Sequence, residues 1–561
     1  VSDRLRLWFP YLCGLTVAGL VVLDGGSRVL GVDPDQAAPA MSCHEAAESG
    51  GTMAGLPLPL YYSSIAVVLL VSFLVIERKA GKQNSLDSRA DSQGGSRPNL
   101  LAAAWFRRVI VHPATRVVLQ LSVVSMFLLI IAAGLFGNQL PTKNIAPLLT
   151  WTVWWCGLIV LILYAGKAWC YVCPWDAVAG WAERLSFRTP KRRSLGLGLK
   201  WPKILRNIWP ATVLFVGLTW LELGFGVTMR PRATAWLALA MLGMAFASAF
   251  VFDRKSFCRY GCLVGRVSGL YALFSPVEVR VEDRDVCRSC PTKSCYKGNE
   301  DGDACPTFQF PAVMDQNTYC ISCMECVKTC ESDNIGLRLR PWGTDLVAQN
   351  KVRSDEAYLA LIMLSLTGFH GLTMTGAWGT ILDKLRESLA FGEVAAFSLG
   401  MAAVMVGPVL LYALLVWASR LAAGDASVGY KTHFLRYAYA LLPIALFYHI
   451  AHNSEHLLME GQRIIALASD PFGFEWNLFG TARWDLGPMT SMETLWIVQV
   501  LLVLVGHVYS LWSSRHAAAE LYTDSRAATR SQIPMLVTMI LFSIMSLWLL
   551  KQPMEMRTTW M

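Results

Sequence analysis

Charge is scarce in this chain. Of 561 residues only 16% are Asp, Glu, Lys or Arg, whereas a soluble domain carries about 25%. With 54% hydrophobic residues and a mean hydropathy of +0.41, that scarcity excludes an ordinary soluble globular protein. It implies a membrane protein with a modest aqueous portion. Also missing are a phosphate-cradling glycine loop between a strand and a helix, and a nucleophile–base–acid triad, so nothing argues for nucleotide hydrolysis or covalent catalysis. Basic residues outnumber acidic ones by 49 to 40. They flank apolar runs instead of forming a patch, which argues for membrane lipid and against nucleic acid as the partner.

Apolar runs supply most of the length. They fall at 8–24, 60–76, 115–137, 147–167, 207–227, 233–252, 356–377, 393–418, 434–457, 493–513 and 533–550. Each is close to the ~20 residues that cross a bilayer as a helix. The sequence therefore predicts an all-α polytopic membrane protein with about eleven transmembrane helices. The first run follows Arg4 and Arg6, and the long polar gap after it favours a retained helix over a cleaved signal peptide. Residues 80–100 are polar and Ser/Gly-rich, a flexible linker. Basic clusters at 77–79, 107–108, 183–206 and 253–259 fall on one side of this topology. The positive-inside rule makes that side cytoplasmic, in a bacterial inner membrane. Segments 25–58, 138–146 and 458–491 then face outward.

Eight of the fifteen cysteines lie within 287–330. The second half of this stretch reads Cys320-x2-Cys323-x2-Cys326-x3-Cys330, the spacing by which one loop wraps three corners of a cubane iron–sulfur cluster. The fourth cysteine of such a run ligates the other cluster of a two-cluster ferredoxin. Cys287-x2-Cys290-x4-Cys295, with Cys305-Pro306 further on, supplies the complement. The expected assignment is crossed: Cys287, Cys290, Cys295 and Cys330 on one [4Fe–4S] cluster, and Cys320, Cys323, Cys326 and Cys305 on the other. Structural zinc also uses CxxC pairs, but eight cysteines in this order favour clusters. The expectation is a two-cluster ferredoxin-like domain over 280–345, inserted on the cytoplasmic side.

A repeat precedes it. The hairpin 115–167 ends in Lys167-Ala-Trp-Cys170-x2-Cys173-Pro174, and the hairpin 207–252 is followed by Lys255-Ser-Phe-Cys258-x3-Cys262. Duplicated membrane halves commonly place a shared site at their interface. Cys170, Cys173, Cys258 and Cys262 are thus candidates for a third iron–sulfur centre, another metal, or a redox-active disulfide. The alternative is four free thiols.

Paired hairpins ending in cysteine motifs, followed by this cysteine-rich stretch, resemble the membrane polyferredoxins of the NapH/NosR/CcoG group over roughly 100–345. The resemblance departs at three points: x2 in place of x3 between Cys170 and Cys173, Leu263 in place of proline after Cys262, and Glu331 in place of proline after Cys330. It lacks a flavin-bearing outer region like that of NosR, since 25–58 is too short. The resemblance implies electron transfer at the membrane, in respiration or in the maturation of metal centres.

Beyond it, FYHIAHNSEHLLMEG places His449, His452 and His456 at helical spacing on one face. His370 and His507 lie in neighbouring spans. Ionisable residues inside a membrane usually mark function. His370, His449, His452 and His507 are candidate axial ligands for haem b. His456, with Met459 nearby and Met554, Met556 and Met561 in the tail, is a candidate copper ligand. The plainer alternative is hydrogen bonding between helices, or proton relay. Cys43-His44 resembles a c-type haem attachment site without its first cysteine, and an ordinary loop cysteine is the simpler account. Cys13 and Cys156 fall in apolar runs as small hydrophobes, and His112 and His433 near span starts as interfacial residues.

Four segments result: an N-terminal hairpin and linker (1–100), the duplicated hairpins (101–279), the cysteine-rich domain (280–345) and a histidine-bearing bundle (346–561). The expected function is single-electron transfer between quinol or a cytoplasmic donor and a periplasmic cytochrome, reductase or oxidase, within a multi-subunit system. Alternatives are a metal-centre assembly factor that reduces or delivers copper, and a redox-driven transporter.

Overall fold

The computed structural model describes residues 52–77, 97–185, 195–348, 352–389 and 392–555. The run at 8–24, Cys13, Cys43, His44, Met556 and Met561 lie outside the described residues. The chain is predominantly helical. Its principal helices are α1 (Leu58–Glu77), α2 (Pro113–Phe136), α3 (Ile145–Ala165), α4 (Pro174–Arg184), α5 (Trp209–Gly224), α6 (Pro231–Val251) and α7 (Leu263–Tyr271). After the cysteine-rich unit come α8 (Ser354–Thr373), α9 (Glu393–Ala423), α10 (Leu442–Glu460), α11 (Met492–Leu521) and α12 (Ser525–Lys551). Proline opens α2, α4 and α6 at the first helical position. Its missing N–H costs nothing there, and its fixed φ already suits a helix.

Among the described residues, seven helical runs are long and apolar enough to cross a bilayer: α2, α3, α6, α9, Tyr430–Ser469 around α10, α11 and α12. This makes the chain a polytopic membrane protein. Three further expected spans fold as helices that miss this measure. In α1 only Leu58–Leu74 is apolar. α5 has 16 residues, about 24 Å, short of the ~30 Å hydrocarbon core. α8 buries Asp355 and Glu356 in its first turn. Burial sorts the spans into layers: the apolar window of the run around α10 is 89% buried and that of α9 only 22%. α10 is the axis of the bundle. α9 turns Val406, Leu410, Leu414, Trp417 and Leu421 outward, a stripe that suits lipid.

The cysteine-rich unit is closed by two antiparallel strands, β2 (Val277–Val281) and β3 (Ile335–Leu339), with Val277 opposite Leu339 and Val281 opposite Ile335. (β1, Thr52–Met53, pairs with β4, Met554–Glu555, elsewhere.) All eight cysteines of the stretch lie on the chain between these strands. Val279, Val281, Met314, Met324, Val327, Ile335 and Leu337 form its small core with Leu101, which residues 97–102 bring in from before α2. The unit is fixed to the bundle by buried polar contacts. The carboxylate of Glu356 in α8 accepts from the hydroxyls of Tyr319 (2.6 Å) and Tyr439 (2.9 Å). That of Asp355 accepts from the Ile208 N–H (3.0 Å) just before α5. Glu356→Ala would strand the buried Tyr319 hydroxyl and leave that of Tyr439 with only long contacts to the Arg353 backbone, at a cost of about 1–3 kcal/mol. The expected result is a thermal unfolding midpoint several degrees lower; an unchanged midpoint would show that this clamp does not hold the unit.

Candidate functional site

The two halves of the cysteine-rich unit fold as a repeat. Lys293 and Met324 both adopt left-handed backbone (φ 52° and 59°). Each starts a single-turn helix, Ser294–Lys297 or Glu325–Lys328, whose second residue is a cysteine, Cys295 or Cys326. The two outlying cysteines are treated alike as well. Three residues after each lies another left-handed residue, Phe308 (φ 56°) or Asp333 (φ 49°). The next backbone N–H then donates back to the sulfur: Gln309 N to Cys305 Sγ at 3.2 Å, and Asn334 N to Cys330 Sγ at 3.3 Å. Proline after Cys330 is unnecessary for this turn, and Glu331, which stands there, accepts from Ser294 Oγ at 2.7 Å.

The repeat packs crosswise. Cys287, Cys290, Cys295 and Cys330 line one small cavity, with Asn334 Nδ2 also donating to Cys287 Sγ (3.3 Å). Burial, then the nearby Cys330, Cys287 and Cys290, push the Cys295 thiol up to about 12. In the other quartet, burial and then Cys323, Cys320 and Cys305 push Cys326 well above its ordinary value. Cys295 acts on Cys326 in the same sense, so the quartets adjoin.

The four thiols that follow the membrane hairpins also meet. Cys173 is the N-cap of α4 and Cys262 that of α7, where its Sγ accepts from Gly265 N (3.3 Å). A helix N-terminus favours negative charge at both positions. Burial, then Asp176, Cys262 and Cys170 raise Cys173; burial, then Asp176, Cys262 and Cys173 raise Cys258. Asp176 itself is paired with Lys255.

On the side toward the cysteine-rich unit sit two buried cations, Lys167 (3% exposed) and Arg266 (1%). Lys167 donates to Thr318 O at 3.3 Å and lies within electrostatic reach of Arg266, Cys170, Cys320 and Cys262. The Arg266 guanidinium lies over the Tyr319 ring (4.4 Å), and none of its nitrogens finds a hydrogen-bond partner among the described residues. Arg340, equally buried, shows the usual solution, pairing with Asp345 and Glu278. Arg266 has a thiol set in place of a carboxylate.

The same thiols abut a cavity of about 230 Å³ inside the bundle. Its walls come from α2 to α8 and from α10, and are rich in tryptophan: Trp151, Trp154, Trp155, Trp169 and Trp175. Leu148–Trp154 within α3 is a π-helical stretch, a form frequent at functional sites. Trp169, Pro174 and Leu263 on the wall are direct chain neighbours of Cys170, Cys173 and Cys262. Glu222, His370 and His449 are the ionisable groups on the wall. Sequence reading missed Glu222 and Arg266; a lone carboxylate in the run 207–227 was the available signal for the first.

The histidines divide into two kinds. His507 is engaged at both ring nitrogens, with Ser72 of α1 (2.8 Å) and Ser543 of α12 (2.9 Å), and His433 likewise with Ser419 and Tyr522. Both tie helices together, and His433 is buried. His449 meets the Tyr271 hydroxyl through Nδ1 (3.2 Å) and packs on Trp155. His370 and His452 stand edge to face with ring centroids 5.0 Å apart, which leaves no room for a macrocycle between them. These two rings therefore do not sandwich a haem, whereas His370 and His449 both line the cavity described above. Nor do three His, Cys, Asp or Glu side chains converge on one point among the described residues, as a single copper or zinc ion requires. Cys156 is buried as expected, with its thiol 3.2 Å from Asn453 Oδ1, and His112 caps α2 through Ala114 N.

No family model matches the chain, and no solved structure matches it. It is similar to the uncharacterized protein MJ0749 of Methanocaldococcus jannaschii, at 26% identity over 181 residues. That match covers 31% of this chain and 65% of the relative, so the chain spans just under two thirds of the relative's length.

Proposed function

We propose that the chain is an integral-membrane electron-transfer protein that exchanges electrons between a quinol–quinone couple in the apolar chamber and a redox partner docking at the cysteine-rich unit. One observation carries this reading: three thiol sets adjoin in order from the chamber wall outward, with Lys167 in reach of Cys170, Cys262 and Cys320 and Cys295 in reach of Cys326. Cys320, Cys323, Cys326 and Cys305 would hold one [4Fe–4S] cluster, and Cys287, Cys290, Cys295 and Cys330 a second. Cys170, Cys173, Cys258 and Cys262 would hold a third iron–sulfur centre. Such centres accept and release single electrons at potentials tuned by charge and by hydrogen bonds to sulfur.

The chain's own groups supply that tuning. N–H···S contacts from Gln309, Asn334 and Gly265 favour the electron-rich state of the sulfurs. Lys167 and Arg266 bring positive charge to an otherwise dry junction, where thiolate-held clusters offer the compensating negative charge that a buried cation needs. The chamber suits an aromatic ring with an apolar tail. An apolar cavity of roughly 150 Å³ admits benzene, and this one is larger, open among lipid-facing helices and tryptophan-lined. In a bacterial inner membrane the basic loops would set the cysteine-rich unit on the cytoplasmic side.

The test is rapid mixing of the anaerobically purified, oxidised protein with a short-chain quinol. Broad bleaching of the iron–sulfur absorbance is expected. Filling the chamber by Ala238→Trp should slow it at least about tenfold, some 1.4 kcal/mol in barrier, with iron content unchanged. Bleaching that proceeds equally fast in that variant would remove the quinol from the chamber. A dithionite-reduced minus oxidised spectrum should show the same bleaching without a b-type haem band; a stoichiometric band would restore the histidines as haem ligands.

A further inference from the structure

The bundle holds a line of ionisable side chains that the electron path does not use. It begins on the chamber wall, where His370 Nε2 lies 4.0 Å from Glu222 Oε1. The His370 ring meets that of His452 at 5.0 Å between centroids, and His452 meets His456 at 5.2 Å. His456 Nδ1 lies 3.7 Å from Glu460 Oε2. His452, His456 and Glu460 recur every fourth residue on one face of α10 and climb about 12 Å along its axis. They are 0%, 1% and 3% exposed. Tyr448, stacked near His452, and Glu455, which accepts from Gln499 (2.9 Å), flank the line.

Its direction is fixed by the ends of the helices. α10 starts beside Tyr439, whose hydroxyl joins Tyr319 of the cysteine-rich unit at Glu356. Glu460 closes α10 at the other end, beneath the turn Gly461–Arg463 that leads into the loop with the exposed Phe474, Trp476 and Phe479. The line therefore leaves the chamber away from the thiol sets. Its chemistry differs from that of the tethering histidines: His507 and His433 are held by hydroxyls, whereas His452 stands between two other imidazoles. Chains of His and acidic residues inside membranes are characteristic of proton transfer.

We infer that Glu222, His370, His452, His456 and Glu460 form a proton path from the chamber to the face opposite the cysteine-rich unit. This rests on reading the chamber as a quinol site. Oxidation of the quinol to the quinone breaks both O–H bonds. The electrons would leave singly for an oxidised iron–sulfur centre that Cys170, Cys173, Cys258 and Cys262 would hold, and from it for the partner. The protons go to Glu222 or His370, then through His452 and His456 to Glu460 and water beyond. An imidazole accepts on one ring nitrogen and releases from the other, and ring rotation or one bridging water closes the gaps between rings. The consequence is vectorial chemistry: electrons and protons of the same quinol part toward opposite faces.

The test uses the full chain in liposomes, with a pH dye trapped inside, a short-chain quinol, and ferricyanide added outside as an impermeant oxidant. Ferricyanide selects molecules whose cysteine-rich unit faces out, and protein-free liposomes correct for its direct reaction with quinol. The lumen of wild-type vesicles should acidify, with equal numbers of protons and electrons delivered. His456→Gln and Glu460→Gln should each lower the protons delivered per electron at least fivefold. A structural defect would instead lower proton and electron counts in proportion and leave their ratio unchanged, which would overturn the path, as would an alkaline or unchanged lumen in the wild type. If quinol fails to reduce the wild-type protein at all, the quinol reading falls first and takes the path with it.

Discussion

Replacing Cys330 by alanine is expected to remove about four irons per chain, and the cluster lost should be that of Cys287, Cys290 and Cys295, not that of its sequence neighbours. Cys330 stands only three residues from Cys326 in a row that reads as one motif. In space it shares a cavity with Cys287, Cys290 and Cys295, while Cys326 feels Cys323, Cys320 and Cys305. The two arrangements separate in double variants. Residues of one cluster behave as a unit, so their effects do not add; residues of different clusters do add. Cys330→Ala combined with Cys287→Ala should therefore lose no more iron or EPR intensity than either alone. Cys330→Ala combined with Cys323→Ala should lose both clusters of the unit. The reverse pattern would sink the crossed assignment and with it the order of the electron path.

Arg266→Met should lower the reduction potential of the centre next to the chamber by more than about 60 mV, equivalent to about 1.4 kcal/mol for one electron. The sign follows from charge. Reduction adds an electron to an already anionic group, and a buried cation one helical turn from Cys262 favours the more negative state. Removing that cation favours the oxidised one. Methionine is shorter, but it keeps an apolar, polarizable side chain beside Tyr319 and removes the charge. The outcome also reports on what the four thiols do. If they bind nothing, Arg266 is a buried charge with only a ring for company, and replacing it should raise the thermal midpoint, as replacing uncompensated buried charges does, with metal content unchanged. A redox titration followed by EPR, run beside a melting curve, distinguishes the two. Lys167→Met should shift the potential in the same direction, and that of the cluster proposed at Cys320, Cys323, Cys326 and Cys305 as well, because Lys167 lies near both Cys262 and Cys320.

The sequence by itself determined the membrane class and the positions of most helices. Each of these is written in local terms. Scarce charge and runs of about 20 apolar residues leave a helix as the stable form in lipid. The cysteine spacing marks the short turns of the cysteine-rich unit, while the left-handed residues that follow Cys305 and Cys330 emerged only in the structure. The repeat of Lys-x-aromatic-Cys was likewise visible before any fold, and its thiols do meet.

What only tertiary structure decided was the division of labour among ionisable residues. Five histidines in apolar spans read alike along the chain, yet His507 is a tether between α1 and α12 while His370 and His452 stand against each other. Arg266 and Glu222 drew no notice in the sequence; packing places one over Tyr319 beside a thiol set and the other on the wall of a chamber. A side chain's protonation, partners and purpose inside a membrane depend on which helices face it and on how much water is excluded. Those distances arise between segments hundreds of residues apart, and no local pattern encodes them.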